Sequence, residues 1–592
     1  MKSARPSLLR SLWLLGLAAS LATTAAAKKP NVIVMLSDDQ GWGDFSLHGN
    51  TQLDTPNLDQ LARSGAQFDR FYVCAVCAPT RAEFLTGRYY AKTGVYGVSR
   101  GAERLNEDET LVSEIFQRAG YQTAVFGKWH NGSQYPYHPN ARGFHEFYGF
   151  GSGHWAHYFS PILDHNGDIV RGQGYLTDDL TERAMDYIEQ HQEKPFFVYL
   201  ALNTPHSPMQ VPDRWWNKYQ DMPSTQEFFE KNRENLDHTR AAYAMCENID
   251  WNVGRLLDKL DQLGLAEDTI VLYFNDNGPN GRRWNGGMLG RKGSIDEGGV
   301  RSPLFVRWQG KIRPGTLVEP IASSIDLLPT LAELAEIDYS GTKPLDGLSL
   351  KPLLAGQTAD WPERALYQFR NNKVSVRTQR YRLNGDGKLF DMVADPAQQN
   401  PVNEEFPEMA ETLQAKAAAW LKEHQGLGHN KGSDDRPFII GHPDAKMSQI
   451  PARDGRNRGG ITRPSKHPNA SYFTTWTSTK DSIVWDCEVG KSGRYLVELF
   501  YTCPAADVGS TIQLSFNDSQ LIGKITEAHD PPLQGVQEDR VKRKEAYSKE
   551  WNRMSLGVIE LRKGQGSLKL EATDIPGSQV MDLRTVLLTR LD

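Results

Sequence analysis

Four short apolar runs, each stopping at a cluster of polar residues, set the tightest limit on what this chain can fold into. Asn31–Leu36 ends at Asp38-Asp39. Thr123–Phe126 ends at Gly127-Lys-Trp-His-Asn-Gly132, which carries Lys128 and His130. Phe196–Leu202 ends at Asn203-Thr-Pro-His-Ser-Pro208, which carries His206, and Thr269–Phe274 ends at Asp276-Asn277-Gly278. The first run is continuous rather than alternating, as in a strand covered on both faces. Helical stretches lie between the runs. One opens at Thr55-Pro56, with Thr as N-cap and Pro at the first helical position, and ends near Gly65. Others span about Thr110–Ala119, Thr177–Gln192 and His238–Leu263. The alternation predicts an α/β fold with a largely parallel central sheet flanked by helices. Ligands of such open sheets bind outside the carboxyl ends of the strands, so the four polar clusters are expected to share one edge and one site.

The chain has 592 residues, too many for one ordinary domain. Residues 1–27 read as a signal peptide. Lys2, Arg5 and Arg10 precede the short apolar stretch Leu12–Leu21, and Ala25, Ala26 and Ala27 form a cleavage site before Lys28. The apolar run is too short for a stable membrane anchor. An exported chain, periplasmic or secreted, is therefore expected. Residues 28–345 hold the α/β unit. Residues 346–425 read as a small antiparallel subdomain, with strand-like pieces at Ser375–Arg377 and Lys388–Phe390 before a helix at Glu408–Glu423. Residues 426–460, rich in Gly, Pro and Asp, read as a linker. In 461–592 the apolar residues alternate: Ile483, Trp485, Cys487 and Val489, then Tyr495, Val497, Leu499 and Tyr501. That period predicts a β-sandwich, a possible carbohydrate-binding-like module in which Trp476, Trp485 and Trp551 stack on sugar rings or belong to the core.

A net charge of -6 gives no reason to expect nucleic acid as a partner. Attraction for an anion must then be local. Five cysteines are too few to hold an exported chain of this size together by disulfides. Asp38, Asp39, Asp276 and Asn277 are hard oxygen donors, which favours calcium or magnesium over a softer metal. Cys77-Ala-Pro-Thr-Arg81 admits a bland reading, in which Pro79 opens a helix and Cys77 is a small buried hydrophobe.

That segment, running on to Leu85-Thr-Gly-Arg88, resembles the signature of the formylglycine-dependent sulfatases, of the alkaline phosphatase superfamily. The commonest family form has Ser where this chain has Thr80. The resemblance extends over most of the first 425 residues, in family order. It takes in Asn31–Asp39, the Lys128–His130 segment, the His206 segment, Asn275–Gly278, Lys292 before Glu297-Gly-Gly-Val-Arg301, and Leu389-Phe-Asp391 with Asp395-Pro396. Asn131 departs from it, standing where an apolar residue is expected. The resemblance implies that a formylglycine-generating enzyme oxidises Cys77 to 3-oxoalanine (formylglycine). The hydrate attacks sulfur with one hydroxyl and releases sulfate with the other. One Ca2+ would sit on Asp38, Asp39, Asp276, Asn277 and residue 77. Arg81 would hold the hydrate, and Lys128 and Lys292 would neutralise the sulfate oxygens. His206 is the candidate acid for the leaving oxygen and His130 the candidate base, though these two roles are exchangeable on sequence alone. A sulfated carbohydrate is the expected substrate, with specificity carried by Ser133–Trp155 and Pro208–Glu234. The rivals are a phosphomonoesterase or phosphodiesterase of the same superfamily, against which Asn277 argues as a poor ligand for a second zinc, and a non-catalytic glycan-binding protein.

Overall fold

The computed structural model describes residues 28–228, 230–424 and 434–591, together with Met1. The expected signal peptide lies outside the described residues. Six strands carry the site: β1 (Asn31–Asp38), β2 (Gln122–Lys128), β3 (Glu146–Phe150), β4 (Phe196–Pro205), β5 (Thr269–Asn275) and β6 (Leu304–Arg307). They lie in the order β6-β5-β1-β4-β2-β3 within a ten-stranded sheet. The five from β5 to β3 run parallel, while β6 and the Ile162–Arg171 hairpin add antiparallel edges. The sheet is thus largely parallel, as expected, and antiparallel at its flanks.

Every residue of β1 is buried. Its pleat sends Val32, Val34 and Leu36 into one apolar core and Ile33 and Met35 into another. Helices α1 (Cys77–Thr86) and α2 (Val112–Arg118) cover the first core through Phe84, Leu85, Val112 and Ile115. Helices α3 (Leu176–Gln190) and α4 (Leu236–Gln262) cover the second through Leu176, Leu180, Met245 and Ile249. This two-sided cover is why the strand reads as an unbroken apolar run. The small four-stranded antiparallel sheet at 366–391 and the helix Pro407–His424 join the first core through Val376 and Trp420.

The C-terminal region packs two sheets face to face around a third core, which includes Trp485, Val497, Leu514 and Leu570. The stretch expected to be a linker is corrected here. Phe438–Ile440, Met447–Pro451 and Arg456–Arg458 are strands of the sandwich, pairing with Ser482–Val489 and Asp582–Arg590. Ile440 and Ile450 are fully buried, so the Gly and Pro residues mark turns between short strands. Of the two roles open to the three tryptophans, the structure shows burial. Trp476 and Trp485 are 1% exposed within the core, and Trp551 is buried with its ring against Tyr472. Ser133–Trp155 is likewise not all loop, since it contains β3. All five cysteines are free and buried. Among the described residues no helix is long and apolar enough to cross a membrane.

Candidate active site

Parallel register brings the strand ends level. Ser37 pairs with Asn275, Asp38 with Pro205, and Gly127 with Ala201. Asp38 closes β1 and Asp39 follows in the left-handed region at φ 66°. The turn lets the Asp39 N–H donate to Asp276 Oδ1 at 3.1 Å. Asn277 Nδ2 donates to Asp39 Oδ1 at 2.8 Å. Lys128, the last residue of β2, places Nζ 2.6 Å from Asp38 Oδ2. Lys292 Nζ lies 2.6 Å from Asp39 Oδ1.

All ten residues of α1 are buried, and the helix starts at Cys77 rather than at Pro79. Pro79 therefore sits in the first turn, where a missing N–H leaves no bond unmade. Thr80 Oγ1 accepts from the Cys74 N–H at 2.9 Å and donates to the Asp276 carbonyl at 2.6 Å, bonds that a Ser hydroxyl would make equally. Arg81 lies one turn from Cys77. Its guanidinium donates to Asp276 Oδ2 (2.9 Å), the Lys128 carbonyl (2.8 Å) and the Tyr199 hydroxyl (3.1 Å). Asn131, which stands where the resemblance expects an apolar residue, is buried. Its Nδ2 donates to the Ala78 and Glu103 carbonyls, bracing α1.

The candidate site residues Asp38, Asp39, Cys77, Arg81, Lys128, His130, His206, Asp276, Asn277 and Lys292 fall in this one region, whereas Arg301 packs over Trp42 and bonds Asp69. One ligand atom each from Asp38, Cys77 and Asp276 lies within 4.8 Å of the others, and the same holds for Asp38, Asp39 and His206. Asp38 Oδ1 and Asn277 Oδ1 are buried with no hydrogen-bond partner among the described residues. Unpaired buried acceptors are costly. Two hard oxygens left open beside Asp39 and Asp276 fit a hard divalent cation.

The electrostatics are strained. Burial would raise the Asp39 carboxyl, but Lys292 and His206 outweigh it and hold it below the usual range. Burial and the Asp38 charge push Asp276 up to about 7, against Arg81 and Lys128. Burial also pushes the Cys77 thiol up, despite Lys128 and Lys292. Carboxylates Asp38, Asp39 and Asp276 balance cations Arg81, Lys128 and Lys292, so a bound divalent cation would leave the pocket positive.

The structure separates the two histidines. His206 Nδ1 meets the Ser207 carbonyl at 2.7 Å, which leaves Nε2 facing Asp39 Oδ2 at 3.6 Å. Burial and Lys292 hold its pKa at about 4. His130, at φ 62°, uses Nε2 on the Val98 carbonyl (3.0 Å), and its buried Nδ1 has no partner among the described residues. Burial and Lys128 keep His130 well below the ordinary imidazole range. Sequence reasoning missed His154, whose ring stacks on His206 with centroids 5.7 Å apart. It also missed Glu545, whose Oε1 accepts from Ser207 Oγ at 2.6 Å. His154 follows strand β3, which was not expected. Glu545 lies too far along the chain for any local pattern to signal.

Residues 30–337 match the family model described as sulfatase, and residues 291–425 match that described as N-sulphoglucosamine sulphohydrolase, C-terminal. Arylsulfatase A of Homo sapiens is 35% identical, covering 66% of this chain and 81% of its own. N-acetylgalactosamine-6-sulfatase of Canis lupus familiaris is 31% identical, covering 61% and 72%. Among solved structures, Ps i-CgsB in complex with k-i-k-neocarrahexaose superposes with a TM-score of 0.62 at 27% identity, covering 68% of this chain and 96% of that one. The phosphonate monoester hydrolase of Agrobacterium radiobacter, at 19% identity and a TM-score of 0.52 over 67% and 96%, shares the fold alone.

Proposed function

The chain belongs to the sulfatase family of sulfuric ester hydrolases, and from that premise we propose that it is an exported enzyme acting on sulfated carbohydrates with a formylglycine made from Cys77 and one calcium ion. The observation that carries this reading is the placement of Cys77 within 4.8 Å of Asp38 and Asp276, with Arg81, Lys128 and Lys292 around them. The basic, apolar and Ala25-Ala26-Ala27 order of residues 1–27 supports export. The name N-acetylgalactosamine-6-sulfatase and the neocarrahexaose complex of Ps i-CgsB support the substrate class.

Asp38, Asp39, Asp276, Asn277 and residue 77 would hold the calcium, which when bound supplies positive charge to the sulfate and lowers the pKa of the attacking hydroxyl. The modification supplies that hydroxyl. It is needed because a thiol has no second hydroxyl with which to expel the bound sulfate and re-form the aldehyde. Arg81 orients residue 77 and fixes the Asp276 carboxylate in place. Lys128 and Lys292 bring two cations to the sulfate oxygens, where charge builds as the ester breaks. The Ser207 carbonyl commits His206 Nδ1 to donating, so only Nε2 is left to serve the leaving oxygen, and it has a proton to give only in the imidazolium form. His130 is held neutral with Nδ1 free, which suits it to accept a proton when sulfate is released.

The test is co-expression with a formylglycine-generating enzyme. The mass of the peptide containing residue 77 is measured, with turnover of 4-nitrophenyl sulfate with and without calcium. An aldehyde or hydrate mass is expected, with calcium-dependent turnover that falls at least about 1000-fold in Cys77→Ala. An unmodified Cys77 without turnover, beside a working modifying enzyme, would overturn the reading. Faster turnover of 4-nitrophenyl phosphate than of the sulfate would favour the phosphatase rival.

A further inference from the structure

Two loops of the C-terminal sandwich, outside both matched family regions, reach the rim of the site. One carries Asn469. Its Nδ2 donates to the Val98 carbonyl at 3.3 Å, the same carbonyl that takes His130 Nε2. Gly153 passes between them. A Cβ there would stand 2.3 Å from Asn469 Nδ2 and 2.6 Å from His130 Nε2, so no other residue fits without displacement. The other loop joins strands Ser519–Lys524 and Asn552–Leu561 and carries Glu545 to Ser207, the neighbour of His206. It is anchored to the α/β unit by Gln210 Nε2 to the Gly535 carbonyl (3.0 Å) and by the Arg540 N–H to the Met209 carbonyl (2.9 Å). The Glu545 charge acts on both His154 and His206. His154 is 6% exposed, and its Nε2 has no partner among the described residues.

We propose that Glu545 and His154 form a subsite for a free hydroxyl of the sugar that carries the reacting sulfate ester. The proposal rests on the sulfatase reading and gives its leaving-group side a chemical identity. A sugar hydroxyl both donates and accepts. The carboxylate supplies an acceptor, and His154 Nε2 meets the hydroxyl as donor or acceptor according to its tautomer. Glu545 Oε1 takes Ser207 Oγ and Oε2 takes the Lys544 N–H at 3.1 Å, so each oxygen keeps further acceptor capacity. Burial would raise this carboxyl, but His154, Ser207 and His206 outweigh it and hold it at about 2. A second sulfate at that position would therefore meet a fixed negative charge and be rejected. An aryl leaving group has no hydroxyl to place there.

The test measures inhibition of 4-nitrophenyl sulfate turnover by a panel of monosulfated hexoses and N-acetylhexosamines, with inorganic sulfate as reference. At least one sugar sulfate is expected to compete better than inorganic sulfate. Glu545→Gln is expected to raise its inhibition constant about ten-fold, several times more than it raises KM for the aryl sulfate, with little change in melting temperature. His154→Ala, which removes the other partner, is expected to act in the same direction. If no sugar sulfate outcompetes inorganic sulfate, or if both variants move the sugar and aryl constants by equal factors, the subsite is overturned and Glu545 merely pins Ser207. Wild-type protein that does not turn over the aryl sulfate at all would instead sink the sulfatase reading itself.

Discussion

In the α/β unit Arg81 meets Asp276 with both side chains wholly shielded from water, whereas in the sandwich Arg456 meets Asp486 with more than half of each side chain in solvent. The two ion pairs are chemically alike and energetically opposite. A buried pair must offset the desolvation of both ions, and often contributes no more to stability than apolar residues of the same size. An exposed pair is screened and contributes little. The sandwich draws its stability from side chains such as Trp485, Val497 and Leu514, packed between two sheets. The candidate catalytic edge instead gathers three carboxylates at strand ends, with Lys128 at the end of β2, Arg81 on α1 and Lys292 in a turn, and with Asp39 and His130 in left-handed backbone. Such an arrangement serves chemistry rather than stability.

The sharpest way to break this contrast is Arg81→Ala. It leaves Asp276 buried without its cation, and the expected loss is about 3–5 kcal/mol, read by denaturant unfolding, together with near-complete loss of aryl sulfate turnover. A double variant, Arg81→Met with Asp276→Leu, is expected to recover most of that stability and none of the activity. If the double variant stays as unstable as the single one, the pair is structural and the contrast fails.

The joint between the regions gives an intermediate effect. Burial first, and then the Asp454 charge from the sandwich side, push the Glu103 carboxyl from 4.5 up to about 7. Between those values the folded protein holds a proton that the unfolded chain has released. The contribution is therefore present at pH 5 and is lost as pH rises through 7. Glu103→Gln should flatten that decline, by on the order of 3 kcal/mol between pH 5 and pH 8. Parallel stability curves for variant and wild type would show that the joint is indifferent to this proton. The smallest effect belongs to the exposed pair. Arg456→Ala is expected to cost under about 1 kcal/mol and to leave aryl sulfate turnover unchanged. A larger loss would mean that the sandwich, too, depends on its charges.

Much of the catalytic edge was legible in the chain. Asp38-Asp39, Lys128, His130, His206, Asp276 and Asn277 each end an apolar run. Because the runs form neighbouring strands of one mostly parallel sheet, their ends meet. Cys77 and Arg81 were legible as one helical turn. Strand β3 and the hairpin beyond it were not, nor were the strands at 438–458, where Gly, Pro and Asp between short strands imitate a linker. The chain left the tryptophans open between a binding surface and the core, because an alternating strand gives the same pattern whether its aromatic face meets sugar or the opposite sheet, and they lie inside.

Apolar periodicity and local turn chemistry act over a few residues, so the chain alone marks which residues stand at strand ends. It also determined the order of the motifs and the family resemblance. The ring-nitrogen partners of His130 and His206 emerge only on folding, because they depend on which carbonyl each ring meets. Only the tertiary structure brought Asn469 and Glu545 of the sandwich beside them. Contacts across more than 300 residues follow from how separate cores dock, and no local pattern in the chain encodes that docking.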